Sequence, residues 1–411
     1  MLEKVKKPIS GNQYLMKDGK NVWLDDIKLD DFIKCTELPI MVILENRIRE
    51  NIKSFIQTFT STIPNTECFY SVKANFLPKV IKVIAREGIG VEIVGEPELD
   101  LVLKLNIPGF KIICGGPYLT ESLIEKCLQN DIREVIAYNL FDLKRIDYFA
   151  KKYGKIQKIC LRINSQKYNS NLGISFNVQN IKILKRYIKK FQNIEIETIL
   201  SHYTTQMNSL ELFKRNCNSI INALKLLKDN GIHVKNVNLG GGFPEAAIMT
   251  KNQLRKVAIL IKEMLIDHSI DLDKIYFEPG RYFVGDAGIF ITKIINVLEN
   301  RWIYLNIGNN MCPKFARCSL RFYNATLIDS PHKYKTSIGG IVPTDQDVLV
   351  KDYFFTKKLK RGHVILITNV GAYCLTFSNR FPYPMPKIYN IIGNKSELIF
   401  DPKRDRDFTL N

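Results

Sequence analysis

Short apolar runs alternate with longer amphipathic stretches between residues 67 and 280. The runs are rich in β-branched and aromatic residues, as buried strands are. There are eight of them: CFYSVKA (68–74), VEIVG (91–95), KIICGG (111–116), EVIAYN (134–139), KICLRI (158–163), IETILSHY (196–203), VNLGGG (237–242) and IYFEPG (275–280). The stretches between them have helical spacing of apolar residues, and several end on Gly or Asn. Alternating strands and helices predict parallel βαβ units, and eight units favour a closed (β/α)8 TIM-like barrel over an open doubly wound sheet.

The pattern changes after about residue 281. Runs such as WIYLNIG, RFYNATLID and GHVILITNVGAY are separated by turns and have no long helices between them. They predict an antiparallel β domain, either a sandwich or a barrel. Strand-like runs near the start, NVWLDDIKL and PIMVILE, are expected to add strands to it. We therefore predict a barrel over residues 39–280 and a β domain built from residues 1–38 and 281–411.

Composition and charge argue against several classes of function. The 411 residues carry a net charge of +19, but the basic residues are dispersed and not interleaved with aromatics, so we do not expect nucleic-acid binding. Positive potential instead favours anionic ligands, such as phosphorylated ones. No apolar run is long enough to span a bilayer, and the charged start lacks the apolar core of a signal peptide. The nine cysteines show no metal-type spacing, which predicts no metal site and free thiols in a cytoplasmic protein.

The ends of the predicted strands carry the candidate chemistry, because active sites of such barrels lie at the carboxyl ends of the strands. Lys73 ends the first strand, and a desolvated amine there suits Schiff-base chemistry. A surface lysine just past the strand is the alternative interpretation. His202 ends the sixth strand, where it either stacks on a flat cofactor or is an ordinary core histidine.

A predicted anion site follows the seventh and eighth strands. The glycines of residues 240–242 let the backbone approach an anion closely, and Arg281 adds charge-assisted hydrogen bonds. A glycine triplet alone is most often a turn, so the pairing with Arg281 carries the prediction. Glu278 precedes this site, where a carboxylate near a pyridine nitrogen strengthens the ring as an electron sink. A helix-capping or ion-paired glutamate is the alternative.

These residues stand in motifs that resemble the fold-type III pyridoxal-phosphate decarboxylases, the group of ornithine, lysine, arginine and diaminopimelate decarboxylases. The motifs YSVKAN, GVEIV, LRIN, LGGGFP, EPGRY and NVGAY occur in the family's order along nearly the whole chain. The resemblance implies an alanine racemase-like fold, pyridoxal 5′-phosphate as cofactor, and Lys73, His202 and Glu278 as catalytic residues. The cofactor-binding residues that it implies are Lys73, Arg162, His202, Thr205, Gly241, Gly242, Glu278, Gly280, Arg281 and Tyr373.

Two departures from the family bear on the substrate. The family's catalytic cysteine should fall in residues 340–347, where Pro343 or Val342 stands instead, depending on the register. That cysteine protonates the intermediate after carbon dioxide leaves. The aspartate that binds the distal amine of ornithine corresponds to Asn324, while Asp347 matches the family's loop aspartate, so both are expected to bind substrate. The variant loop resembles that of family members in antibiotic and siderophore biosynthesis, which favours a tethered, carrier-bound or nucleotide-linked substrate.

Other interpretations remain open from the sequence. A decarboxylase of a basic amino acid is one alternative. A racemase of the same fold is another, although Glu278 favours decarboxylation, and a catalytically inactive homologue is a third. The resemblance also implies a homodimer in which residues of each subunit complete the partner's active site. The chain stops soon after the family's last strand, so a fragment of a larger protein is also considered.

Overall fold

The computed structural model describes residues 6–165 and 171–405. Contacts divide the chain into two compact units. The sheet unit consists of Met1–Asn51, Glu245–Ile248 and Arg281–Asn411, and the barrel unit consists of Ile52–Pro244 and Met249–Gly280. None of the helices in the described residues is both long and apolar enough to cross a membrane.

The sheet unit begins with short strands. The elements up to residue 60 are β1 Lys7–Ile9, β2 Asn12–Asp18, β3 Asn21–Leu24, β4 Ile27–Lys28, α1 Leu29–Ile33, β5 Ile40–Leu44 and α2 Glu45–Thr60. In the described part of the chain, β1 to β4 form a four-stranded antiparallel sheet in sequence order. Every residue of β5 is buried, so this strand lies inside a sheet and not at its edge.

The eight predicted strands of the barrel are all present among the described residues and close into a barrel. They are β6 Thr66–Ser71, β7 Gly90–Ile93, β8 Ile112–Gly115, β9 Glu134–Ala137, β10 Gln157–Arg162, β11 Ile194–Leu200, β12 Asn236–Asn238 and β13 Lys274–Phe277. Each pairs in parallel with its neighbour, and β13 pairs with β6 to close the ring. Parallel strands buried on both faces read as continuous apolar runs, which is why the sequence predicted them. The (β/α)8 prediction is confirmed.

Helices connect these strands and cover the barrel. They are α3 Pro78–Arg86, α4 Glu96–Lys104, α5 Glu121–Gln129, α6 Leu140–Lys152, α7 Val178–Lys190, α8 Leu210–Asp229 and α9 Lys251–Asp267. Their starts follow from local chemistry: Asn139, Asn177 and Thr250 cap α6, α7 and α9, each side chain accepting a hydrogen bond from a backbone amide. Because every connection is a βα unit, the carboxyl ends of all the strands lie at one end of the barrel.

The remaining elements complete the sheet unit. They are α10 Arg281–Val284, β14 Gly288–Val297, β15 Trp302–Leu305, β16 Arg321–Asn324, β17 Tyr334–Gly339, β18 Val348–Phe355, β19 Val364–Thr368, α11 Cys374–Phe377, β20 Lys387–Ile392 and β21 Lys395–Phe400. Within the described residues the sheet has nine strands, with β18-β17-β15-β14-β5-β20-β21 as its main order and β19 joining β14 to β16. The predicted separate β domain is confirmed, and most of its strand pairs are antiparallel. Two pairs are parallel: β5 with β20, and β15 with β17.

The position of β5 also moves the predicted domain boundary. The predicted barrel started at residue 39, although the run PIMVILE was expected to add a strand to the β domain. In the structure this strand lies between β14 and β20, and the sheet unit extends to Asn51.

Candidate functional site

Lys73 lies in a short 3-10 turn directly after β6, at the carboxyl end of the barrel. Its Nζ donates hydrogen bonds to both oxygens of Glu92, at 2.8 and 2.6 Å. Glu92 is 3% exposed and also accepts a hydrogen bond from the Ser71 hydroxyl. A buried carboxylate thus holds the amine at the barrel mouth. Glu92 stands in the GVEIV motif, but its role was not predicted, because Lys73 follows a different strand.

Glu278 follows β13 and is 8% exposed. Asn238, at the end of β12, donates a hydrogen bond from Nδ2 to Glu278 Oε1 at 2.7 Å. Burial, with a smaller contribution from the charge of Glu92, raises the pKa of Glu278 to about 7, and Lys73 acts in the opposite direction. Asn238 was not predicted as a site residue, because a polar residue inside VNLGGG gives no signal of its role.

Arg162 ends β10 beside Tyr138. Its Nη1 donates to the Tyr138 hydroxyl at 2.7 Å, and its guanidinium lies 4.7 Å from the centre of the Tyr138 ring. Its Nε is buried and has no hydrogen-bond partner among the described residues. A buried donor without a partner costs free energy, so a bound group that accepts this hydrogen bond would be stabilised.

His202 lies beside the glycine turn that follows β12. Its Nδ1 is 3.1 Å from the point that a Cβ on Gly240 would occupy. Burial, followed by the charges of Arg162 and Lys73, lowers the pKa of His202 to about 3. The imidazole is therefore neutral at physiological pH, and a neutral flat ring suits stacking against another ring.

The glycine turn approaches its neighbours closely. Gly240 and Gly242 have φ angles of +64° and +87°, which favour glycine, and a Cβ on Gly241 would lie 2.5 Å from the carbonyl oxygen of Glu278. The Met207 amide donates to the Gly242 carbonyl at 2.7 Å, so the segment that contains Thr205 lies against the turn. Within the described chain, the amides of Gly241 and Gly242 donate no hydrogen bond. Free amides in a turn form a cradle for an anion.

Gly280 has a different reason to be glycine. A Cβ at this position would lie 2.8 Å from the Cβ of Ala74 and 3.2 Å from that of Ser71. The last barrel strand therefore ends in close contact with the turn that carries Lys73. Any side chain at position 280 would displace that turn.

In the sheet unit, Arg281 begins α10 and is 5% exposed. Its Nη1 donates to Glu245 Oε1 at 3.1 Å, its Nη2 donates to the Ala316 carbonyl at 2.7 Å, and its guanidinium lies 4.8 Å from the centre of the Tyr373 ring. The carboxylate of Glu245 is fully buried. Arg281 and Tyr373, which are 92 positions apart in the sequence, are thus brought together, and Glu245 fixes the guanidinium.

Asn324 and Asp347, the two predicted substrate-binding residues, form hydrogen bonds with other residues of the sheet unit. Asn324 is fully buried in β16, where its Nδ2 bonds Thr356 Oγ1 at 3.0 Å and the ring nitrogen of His363 at 3.2 Å. Asn324 Oδ1 is buried and has no hydrogen-bond partner among the described residues, and substrate binding by Asn324 stays a prediction. Asp347 is also buried and accepts hydrogen bonds from the amides of Asn309 and Val342, at 2.6 and 2.7 Å. Its carboxylate therefore holds the loop of residues 340–347 in shape.

The loop leaves other side chains free for contacts. Pro343, Thr344, Asp345 and Gln346 are exposed, and none of them is a thiol.

Among the residues that the structure describes, no group of three or more His, Cys, Asp or Glu is arranged to hold a metal ion.

The chain is similar in sequence and in structure to proteins of a known family. The sequence profile described as "Pyridoxal-dependent decarboxylase, pyridoxal binding domain" matches residues 47–285. The diaminopimelate decarboxylase of Aquifex aeolicus is 24% identical over 423 residues, which cover 97% of each chain. The lysine/ornithine decarboxylase of Selenomonas ruminantium is 23% identical over 88% of this chain and 91% of its own. The structure of M. jannaschii diaminopimelate decarboxylase in co-complex with L-lysine has a TM-score of 0.84 at 22% identity, over 95% of each chain.

Proposed function

Because the chain belongs to the pyridoxal-dependent decarboxylases, we propose that its substrate is a basic amino acid of the diaminopimelate, lysine and ornithine class. The chain is a lyase that uses pyridoxal 5′-phosphate to remove a carboxyl group from an amino acid. The observation that carries the assignment is the Lys73 amine, which Glu92 holds at the carboxyl end of the barrel. Lys73 is the residue that attaches the cofactor.

The relatives favour this substrate class over the tethered or nucleotide-linked substrate that the sequence motifs suggested. Their names are diaminopimelate and lysine/ornithine decarboxylases, and they match nearly the whole chain. Asn324, which the motifs linked to an atypical substrate, is buried and bonds Thr356 and His363. These contacts do not favour a tethered substrate over a basic amino acid.

The barrel residues fit a phosphorylated aromatic cofactor. The free amides of Gly241 and Gly242, with the neighbouring segment of Thr205, suit the phosphate group, and the orphaned Nε of Arg162 offers a further donor. A side chain at position 241 would collide with the backbone of Glu278, so glycine there keeps the turn and its amides in position. By the family resemblance, Arg281 and Tyr373 of the motifs EPGRY and NVGAY also bind the phosphate, and a guanidinium and a hydroxyl suit that role.

The remaining barrel residues prepare the site for decarboxylation. When bound, the cofactor withdraws the electrons that remain at the α-carbon after the carboxylate leaves. Glu278, oriented by Asn238, is the partner of its ring nitrogen. His202 presents a neutral ring to its face, because burial lowers the imidazole pKa. Glu92 orients the amine of Lys73 and balances its charge.

The protein acts as a homodimer with shared active sites. The exposed residues 343–346 of the loop that Asp347 organises contact the partner's substrate, and they contain no thiol.

All nine cysteines lie in the described part of the chain and are free, which supports a location in the reducing cytoplasm.

Carbon dioxide release tests the proposal. Purified protein with added pyridoxal 5′-phosphate should release carbon dioxide from at least one of diaminopimelate, lysine and ornithine, and Lys73→Ala should abolish release. Lys82→Ala is the matched control, because Lys82 is an exposed lysine on α3 nearby in the chain, and it should retain activity. Release only from a carrier-bound or nucleotide-linked amino acid would overturn the substrate class. Racemisation without carbon dioxide release would overturn the reaction.

A further inference from the structure

Three cysteines of the sheet unit lie together. Cys318 precedes β16, Cys374 begins α11, and their sulfur atoms are 3.6 Å apart although the residues are 56 positions apart in the chain. Cys312 is near enough to Cys374 to raise the pKa of its thiol. Cys318 is partly exposed, whereas Cys312 and Cys374 are buried. One accessible thiol thus lies next to a buried one, as in a pair that forms a disulfide.

The pair contacts residues that the proposed function assigns to the cofactor's phosphate. Arg281 Nη1 lies 3.7 Å from Cys318 Sγ, and the Cys318 thiol also donates to the Ala372 carbonyl at 3.2 Å. Tyr373, on which the Arg281 guanidinium stacks, is the neighbour of Cys374 in the chain. Tyr373 has a φ of 66°, in the left-handed region that its side chain disfavours. A movement of Cys374 would therefore change the position of Tyr373.

A cavity gives small molecules access to the accessible thiol. Its volume is about 290 Å³, and its lining includes Cys312 and Cys318 together with the basic residues Lys314 and Arg317. Hydrogen peroxide fits this volume easily.

We propose that Cys318 and Cys374 form a reversible disulfide on exposure to peroxide, and that this bond weakens the hold of Arg281 and Tyr373 on the cofactor. The second half rests on the proposed function. In the step, peroxide oxidises Cys318 to a sulfenic acid and releases one water, and Cys374 then attacks that sulfur and releases a second water. The two thiols lose two electrons and two protons in total, and peroxide accepts them. Since an S–S bond is about 2.05 Å long, the sulfur atoms must approach by about 1.5 Å from their separation of 3.6 Å.

The surroundings set the rate of this oxidation. The hydrogen bond with Cys374, followed by burial, raises the pKa of Cys318, and Glu245 adds to the increase while Arg281 opposes it. Because the thiolate is the reactive form, the pair should oxidise slowly at neutral pH and faster at alkaline pH. The pair is therefore expected to respond to sustained oxidation and not to brief exposure.

The test uses the full-length protein loaded with pyridoxal 5′-phosphate and treated with hydrogen peroxide. Intact-mass measurement after alkylation should show two fewer labelled cysteines, and peptide mapping should join the Cys318 and Cys374 peptides. The bound cofactor, measured by its visible absorbance after gel filtration, should decrease and return after dithiothreitol and fresh cofactor are added. Cys318→Ser and Cys374→Ser should prevent the cross-link. Cys217→Ser, which removes a buried thiol of the barrel unit, should not.

Each outcome decides one part of the proposal. Absence of the joined peptides, under conditions that oxidise the exposed Cys35, would overturn the disulfide. A disulfide that leaves the bound cofactor unchanged would overturn the coupling to Arg281 and Tyr373. The proposed function is tested separately, because a protein that never binds the cofactor shows no absorbance before peroxide is added, and the thiol measurement is still made by mass.

Discussion

At the residue scale, the sequence identified charged groups but not their partners. Lys73, Glu278 and Arg281 stand in recognisable motifs, yet the residues that hold them are Glu92, Asn238 and Glu245. Each partner lies on a different segment of the chain and reaches its charged group only after folding. A glutamate within a strand has no sequence pattern that distinguishes an ion-pair partner from a solvated side chain.

The Lys73–Glu92 pair gives the first prediction. Glu92→Gln removes the negative charge that orients the amine, so kcat should decrease roughly tenfold to a hundredfold while the fold is retained. Steady-state kinetics with the best substrate measures this. Glu67→Gln is the control. Glu67 forms an ion pair with Arg133 near the start of β6, at the opposite end of that strand from Lys73. Equal losses in the two variants would show that Glu92 acts only on stability.

Glu278 gives a prediction about pH. Its pKa is raised to about 7 in the folded chain from an ordinary value of 4.5, so ionisation of the buried group costs the folded state about 3 kcal/mol. The stability associated with the neutral form is complete below about pH 4.5 and is lost as the pH rises towards 7. In cofactor-free protein, the stability of Glu278→Gln relative to wild type should therefore increase from about pH 5 to about pH 8. Urea unfolding at the two pH values measures this, and a constant difference would contradict the raised pKa.

At the element scale, the barrel strands were predictable and the sheet pairings were not. Eight buried runs separated by helical stretches leave few alternatives to a barrel. In the sheet unit, the parallel pair of β5 and β20 joins segments more than 300 positions apart in the sequence. Neither segment carries a signal of its partner.

The glycine turn after β12 gives a prediction at this scale. Gly241→Ala places a Cβ 2.5 Å from the Glu278 carbonyl oxygen, so the turn must shift, at a cost of about 1–3 kcal/mol in the free energy of unfolding. The shift should also weaken cofactor binding by at least about tenfold, because the amides of the turn lose their alignment. Gly154→Ala is the control: its φ is +62° and no atom lies within 4 Å, so stability should decrease with no effect on cofactor affinity. Cofactor titration of Gly241→Ala with unchanged affinity would contradict a role in phosphate binding.

At the scale of the whole molecule, the proposed homodimer predicts complementation. Lys73→Ala inactivates the barrel of one subunit, and Asp347→Ala disrupts the loop of the other. In a mixed dimer, the unmutated barrel of one subunit and the unmutated loop of the other form one intact site. Equal mixing should recover about a quarter of the wild-type activity, because half of the dimers are mixed and each has one working site. Lys73→Ala mixed with Glu278→Ala is the control, since both lesions lie in barrels and no intact site can form. Recovery in neither mixture, with subunit exchange demonstrated, would contradict shared sites.

The central claim is that Lys73 carries pyridoxal 5′-phosphate in an amino-acid decarboxylase, and covalent mapping tests it most directly. Wild-type protein is loaded with the cofactor, reduced with borohydride, digested and analysed by mass spectrometry, with Lys82→Ala treated in parallel. Reduction should remove the visible absorbance and leave one phosphopyridoxyl group, on the Lys73 peptide of both proteins. A label on another lysine, or Lys73→Ala protein that keeps the same absorbance before reduction, would contradict it.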